Sequence, residues 1–414
     1  MAAPAVAKRP CNPPPSSSSS SSSSCRDPKR HRAVTPALMD LRNEAAAASQ
    51  SQPLLPGLPD HLAQLCLWTV PPRILHAVCR PWRRLLYAPS FPPFLSLYAL
   101  LEDAGDGSAS FAAYDPIAAR WDALPAPPMP SPPPTLWHPS FLSRRLPLQS
   151  VAAAGRLVLV AGSTQSLHPA LTRPLVFDPA TPRWLVGPRI PLTPRRWCAA
   201  GAARGRVFVA GGVGGGYDLV VARSGASWDP AAPSAAWEAV PPLRDGRFSR
   251  DAAEAVYSGG KVCMVNLRGR GAKEGAVLDV AAGRWEDMPP GMLAGWKGPA
   301  AASPDTGDTI FLVDEEHGAL NAYDWETDRW RTVAEADRLK GASEMAAGGG
   351  RVCVLAECGA KVVVVDVTTP KATTRRRSTS TSTSTAAPRM WEVEVPAGRR
   401  IVSLHVLPRM TRPE

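Results

Sequence analysis

The sequence predicts a mixed, mainly β chain: a small three-helix module, then a six-bladed β-propeller, behind a disordered tail. Three observations carry this. First, a polar or glycine-containing turn followed by an apolar strand of about five residues recurs. It reads VAAAGRLVLVAG at 151–162, GAARGRVFVAGG at 201–212, VYSGGKVCMV at 256–265, DTGDTIFLV at 305–313 and AAGGGRVCVL at 346–355. Second, each unit is followed by a strand ending in an acidic turn at Asp178, Asp229, Asp279, Asp324 or Asp366, and then by a tryptophan. Third, residues 54–94 carry helical rather than strand periodicity.

The tryptophans Trp121, Trp184, Trp237, Trp285, Trp330 and Trp391 are separated by 63, 53, 48, 45 and 61 residues. The two long gaps hold a proline-rich stretch at 125–134 and an Arg/Ser/Thr stretch at 375–385. Discounting these leaves a period of roughly 50 residues, the size of a propeller blade. A four-stranded blade buries its faces only between neighbours, so the ring must close. The first unit, marked by Asp115 and Trp121, lacks an innermost strand, and residues 401–406 are placed to supply it. The expected divisions are a tail at 1–52, a helical module at 53–94 and a propeller at 95–410 with a disordered insertion at 371–387.

In the helical module, Leu58, Leu62, Leu65 and Cys66 fall on one stripe, which Pro71 and Pro72 interrupt. A second helical piece covers 74–78 and a third 82–87, with Trp82 and Leu85 on one side and Arg83 and Arg84 on the other. So few residues enclose little core by themselves. The apolar surface left over is expected to belong to a partner.

The net charge of +11 is unevenly spread. Residues 1–52 hold seven Lys/Arg against three Asp/Glu, residues 361–414 hold ten against four, and the rest is nearly balanced. The excess is thus expected in flexible ends, not on a broad basic face of the kind nucleic acid needs. Nine consecutive serines at 16–24 mark the tail as disordered, and Lys29-Arg30-His31-Arg32 has the composition of a nuclear import signal. No apolar run reaches membrane-spanning length, and no apolar core of a secretory signal follows the first residues. The eight cysteines are read as reduced, mostly buried thiols of a cytoplasmic or nuclear protein. No cofactor or metal site is expected: the seven histidines are scattered, and no nucleophile elbow is present. The glycine run at 211–216 is not followed by Lys-Ser/Thr and is expected to be a turn between strands.

Two resemblances now stand on these residues. Leu58-Pro59, the apolar Leu62, Leu65 and Leu67, Val70-Pro71, Val78-Cys79-Arg80 and Trp82-Arg83 with Leu85 resemble an F-box. The repeats, with their spaced tryptophans and the Gly211-Gly212 doublet, resemble kelch repeats. Together the chain resembles a plant F-box/kelch-repeat protein of the Skp1-interacting type. That resemblance implies a substrate receptor of a Skp1–cullin–F-box ubiquitin ligase, with no catalysis of its own. It implies Leu58, Pro59, Leu62, Leu65, Val78 and Trp82 as the Skp1-binding set, facing Skp1 or forming the internal packing that presents the surface, and a protein substrate held by the propeller. The alternative is a kelch scaffold outside any ligase. Pro81 departs from the F-box pattern, and is harmless only if the third helix starts near Arg80.

Aligning the repeats also shows a recurring cation eleven residues before the basic residue that opens each apolar strand. Arg145, Arg195, Arg250 and Lys340 fit the offset, and Lys297 lies within one residue of it. Such a ring of charge predicts an acidic or phosphorylated recognition segment in the substrate.

Overall fold

Six four-stranded antiparallel sheets are arranged in a ring in the computed structural model, which describes residues 53–137, 148–232, 234–249, 253–266, 273–303, 309–368 and 388–412. Blade 1 takes β1 (Leu95–Asp103), β2 (Ala109–Asp115) and β3 (Arg120–Ala123) from its start and β24 (Arg399–Pro408) from the far end of the chain. Blade 2 is β4 (Gln149–Ala153), β5 (Arg156–Ala161), β6 (Leu175–Asp178) and β7 (Arg183–Val186). Blade 3 is β8 (Ala199–Ala203), β9 (Arg206–Ala210), β10 (Gly225–Trp228) and β11 (Glu238–Val240). Blade 4 is β12 (Ala253–Ser258), β13 (Lys261–Asn266), β14 (Gly275–Asp279) and β15 (Arg284–Asp287). Blade 5 is β16 (Ala300–Ser303), β17 (Thr309–Asp314), β18 (Ala319–Asp324) and β19 (Arg329–Glu335). Blade 6 is β20 (Glu344–Gly348), β21 (Arg351–Ala356), β22 (Lys361–Asp366) and β23 (Met390–Glu394).

The strand expected at 401–406 closes the ring. β24 pairs with β1 from Leu95↔Pro408 to Asp103↔Arg399, and it touches the inner strands β4 and β20 on either side. Basic residues that the sequence reading assigned to flexible ends are built into this seam. Arg399 pairs with Asp103, Arg400 with Glu102, and Arg412 with Asp115 and Asp122. The C-terminal excess of positive charge is therefore partly structural. The N-terminal tail and the 371–387 insertion lie outside the described residues.

Sequence and structure also differ by one strand. Arg156, Arg206, Lys261 and Arg351 open the second strand of their blades, not the innermost one. The innermost strands read AAGAA, AAAS or EMAAG, and small side chains suit a crowded axis. At Gly201 a Cβ would stand 2.6 Å from the Ala255 carbonyl oxygen of the next blade. Valine and leucine fill the second and third strands instead, where Val158, Val209, Val265, Leu312 and Val354 are fully buried.

Each acidic turn has the same local cause. An aspartate at the end of the third strand accepts backbone N–H groups two or three residues on, as Asp115 does from Ile117 and Ala118. Asp178, Asp229, Asp279, Asp324 and Asp366 repeat it. This is the side-chain turn that aspartate favours.

The tryptophan that follows ties neighbouring blades. Trp184 Nε1 donates to the Pro125 carbonyl at 2.7 Å, Trp237 to Pro188 at 3.1 Å, Trp285 to Pro241 at 2.8 Å and Trp330 to Met292 at 3.1 Å. In each case the acceptor lies just beyond the outer strand of the preceding blade. Trp121 donates to Glu394 of β23, so the tie also crosses the seam. Trp391 departs from the pattern, being 38% exposed and lying 5.6 Å from the Arg351 guanidinium.

These ties give a measurable asymmetry. Trp184→Phe is expected to cost about 1–2 kcal/mol by losing an interblade hydrogen bond and ring packing on Phe111 and Phe177. Trp391→Phe is expected to stay within about 0.5 kcal/mol. Urea unfolding of the two variants checks this.

Candidate functional site: an exposed apolar strip and the opposite propeller face

Three short helices precede blade 1: α1 (Asp60–Leu67), α2 (Pro72–Val78) and α3 (Arg80–Tyr87). Proline sets their starts. Pro59 and Pro71 occupy the N-cap positions, and Pro72 stands in the first turn of α2, where its missing N–H is not needed. α3 begins at Arg80, so Pro81 also sits in a first turn and breaks nothing. Arg83 Nε donates to the His76 carbonyl at 2.7 Å and fixes α3 against the end of α2.

The module's core is Leu67, Leu75, Leu85, Leu86, Tyr87 and Phe91. Trp82 belongs with it: the ring is half-buried and its Nε1 donates to the Leu54 carbonyl at 2.7 Å. Trp82 thus braces the module, the internal-packing role open to this residue set. Leu58 is half-buried as well, bridging back to Leu55, and Pro59 is exposed.

The other expected residues lie outside. Leu62, Leu65 and Val78 are exposed, and Trp68 and Ile74 join them, all between 42 and 54%. Cys66 is exposed among them. Helical spacing explains the strip. Leu62 stands three and four residues from Leu65 and Cys66, and Ile74 four from Val78, so each set shares a face. Ala63 with Leu67, and Leu75, turn the adjacent faces inward. Sequence reading missed Trp68 and Ile74. Ile74 was legible, being spaced i, i+4 from Val78.

The side of the module away from this strip is held by the chain's last residues. Arg409, directly after β24, donates to the carbonyls of Tyr87, Ala88 and Phe91 at 3.3, 2.8 and 3.1 Å. The Tyr87 hydroxyl donates to Asp115, and the Arg412 guanidinium lies 3.9 Å from the Tyr87 ring. Burial, and then the hydrogen bond to Asp115, hold the Tyr87 phenol well above its usual range, so it remains a donor. Ile117 of the β2–β3 turn packs against the module core.

Strand directions place the two faces of the ring. Pro408 ends β24 beside the start of β1 and lies against Gly155 in the β4–β5 hairpin. The helices therefore share a face with the short hairpins between first and second strands. The longer loops, from second to third strands and from blade to blade, lie on the opposite face. Two of them carry short helices that the sequence reading did not anticipate, α4 (Leu219–Arg223) and α5 (Pro290–Gly295). The glycine run is a turn, as expected, but α4 follows it before the next strand.

Of the five recurring cations, Arg195, Lys297 and Lys340 lead into inner strands on that opposite face. Arg145 and Arg250 lie outside the described residues. Arg195 is 1% exposed and donates to the carbonyls of Gly211 and Pro191 and to Ser224 Oγ, each at 3.1 Å, so it is a strut. Lys297 and Lys340 are half-exposed and paired, with Asp314 at 3.6 Å and Asp337 at 2.7 Å. The described members do not form one open ring of charge.

Between the faces runs a channel of about 760 Å³, walled by Ala152, Ala200, Ala301 and Ala346 of the inner strands. His405 of β24 faces it, with Nε2 2.7 Å from Ser150 Oγ. Gln149 and Glu344 reach across to the neighbouring inner strands, at the Cys198 carbonyl and the Leu404 N–H.

No family model matches the chain. It is 42% identical, over 90% of its length and 94% of the relative's, to the F-box/kelch-repeat protein SKIP25 of Arabidopsis thaliana. The chain belongs to the F-box/kelch-repeat family. A second Arabidopsis relative, the F-box protein AFR, is 26% identical over 66% of this chain and 72% of its own. Among the described residues no helix is long and apolar enough to cross a membrane.

The channel histidine makes stability depend on pH. Burial pushes His405 down to about 4, below its unfolded value of 6.5. Between these values the unfolded chain binds a proton that the folded chain refuses, so stability falls as pH drops through this window. The loss is about 2 kcal/mol by pH 5 and about 3 kcal/mol by pH 4. Urea midpoints at pH 7 and pH 5 are expected to differ less in His405→Gln than in the unaltered protein.

Proposed function

We propose that this protein is the target-binding subunit of a Skp1–cullin–F-box ubiquitin ligase, acting in the cytoplasm or nucleus without catalysis of its own. The observation that carries the reading is the strip of Leu62, Leu65, Trp68, Ile74 and Val78, left uncovered on a module whose other side is already packed. Each such side chain removed from water contributes about 1.5–3 kcal/mol before ordering costs. Exposed apolar faces of this kind on a small module mark an interface. F-box family membership supports a Skp1-like protein as its occupant, with cullin reached through that protein.

The propeller on this reading holds the protein to be ubiquitinated, on the face opposite the helices. Long loops on a rigid scaffold are where binding residues concentrate. A scaffold outside any ligase would use the same face and leave the strip without an occupant.

Charged substitutions on the strip separate these readings. Leu65→Asp and Val78→Asp are each expected to lower capture of a purified Skp1-like protein at least about tenfold, with the propeller still folded by circular dichroism. Trp82→Phe is expected to lower stability more than affinity. Equal capture by all three variants and the unaltered chain contradicts the proposal.

A further inference from the structure

Arg195 and Arg196 stand side by side in the loop that leads into β8, and both are buried, at 1% and 9% exposure. Arg195 donates from both terminal nitrogens to carbonyl and hydroxyl oxygens, leaving only its Nε unpartnered. At Arg196 both Nε and Nη1 are buried without a hydrogen-bond partner, and its guanidinium lies 4.2 Å from the centroid of the Trp197 ring. Neither arginine forms an ion pair with a carboxylate among the described residues. Cys198, which acts electrostatically on Arg195, is pushed up to about 11 by burial and stays a neutral thiol. Two buried positive charges without a counter-ion are costly, and an arriving anion relieves that cost.

The backbone around them joins two exposed loops. Arg196 and Val213 exchange two backbone hydrogen bonds of 2.9 Å, joining the loop before β8 to the glycine run after β9. Gly212 permits this approach: its φ is +93°, and a Cβ there would stand 2.9 Å from the Arg196 carbonyl oxygen. Farther along, Gly215 and Gly216 have no atom within 4 Å of where a Cβ would sit. The same two loops expose apolar side chains at Leu192, Tyr217, Leu219 and Val220, between 50 and 65%. Trp197 lines the channel mouth beside them.

We propose that these two loops of blade 3 bind the target, taking an anionic side chain on Arg196 and neighbouring apolar residues on Leu192, Tyr217, Leu219 and Val220. The proposal rests on the reading of the propeller as the target-holding part. It moves the charge recognition expected of a ring of five cations onto one blade. Carboxylate and phosphate share the chemistry, since a guanidinium offers paired N–H donors to either.

The full-length chain, alone and mixed with a purified Skp1-like protein, is to be offered three pools of short leucine-flanked peptides. Their central residue is aspartate or glutamate, phosphoserine, or serine. At least one anionic pool is expected to be retained about tenfold better than the serine pool. Enrichment of only one anionic pool identifies the anion. Arg196→Gln is expected to abolish the preference, and Arg196→Lys to keep part of it. Leu219→Ser with Val220→Ser is expected to weaken retention of the preferred pool. Equal retention of all pools overturns the proposal, as does an undiminished preference in Arg196→Gln. Skp1 capture by the same variants reports that they are folded. Its failure in the unaltered chain, with the peptide preference intact, would remove the ligase reading and leave this site standing.

Discussion

The antiparallel pairing of β24 with β1 is the contact on which the rest of this molecule depends. It joins the last strand of the chain to the first, completes blade 1 and gives β4 and β20 an inner neighbour each. Without it the ring has two open ends, and a propeller blade buries its faces only between neighbours. The same strand runs straight into Arg409 and Arg412, which grip α3 and the β2–β3 blade edge. One stretch of chain therefore closes the wheel and fastens the helical module to it.

That double duty explains how so small a module holds a shape. Its six-residue core would be marginal in isolation. Here Tyr87 is anchored through Asp115, three carbonyls of the helix end and following turn converge on Arg409, and Ile117 completes the apolar contact. The side toward the propeller is spent on this anchorage. The strip on the other side stays exposed.

Much of this was legible in the sequence, for reasons that can be named. Aspartate at the third-strand end and a tryptophan farther on, six residues later in four blades as in Asp178 and Trp184, mark blades because each side chain performs the same local task in nearly every blade. The closing strand was legible because blade 1 lacked a partner for β1. The innermost strands were harder to see. Runs such as Ala199–Ala203 carry small residues for steric reasons near the axis, and their composition resembles a turn more than a strand. The apolar strands opened by Arg156, Arg206, Lys261 and Arg351 were read one strand too far inward as a result. Arg195 and Arg196 could not be told apart from spacing, since only packing decides which guanidinium is better satisfied. Trp82 presents the same difficulty, as its inward face is fixed by the Leu54 carbonyl, 28 residues away.

Hydrogen–deuterium exchange of the full chain, alone and with a purified Skp1-like protein, tests most directly whether the three N-terminal helices have an outward face meant for another molecule. The expected result is new protection confined to amides of α1 and α2, with exchange in blades 2 to 5 unchanged. Protection on the long-loop face of the propeller, with α1 and α2 exchanging as before, would contradict it.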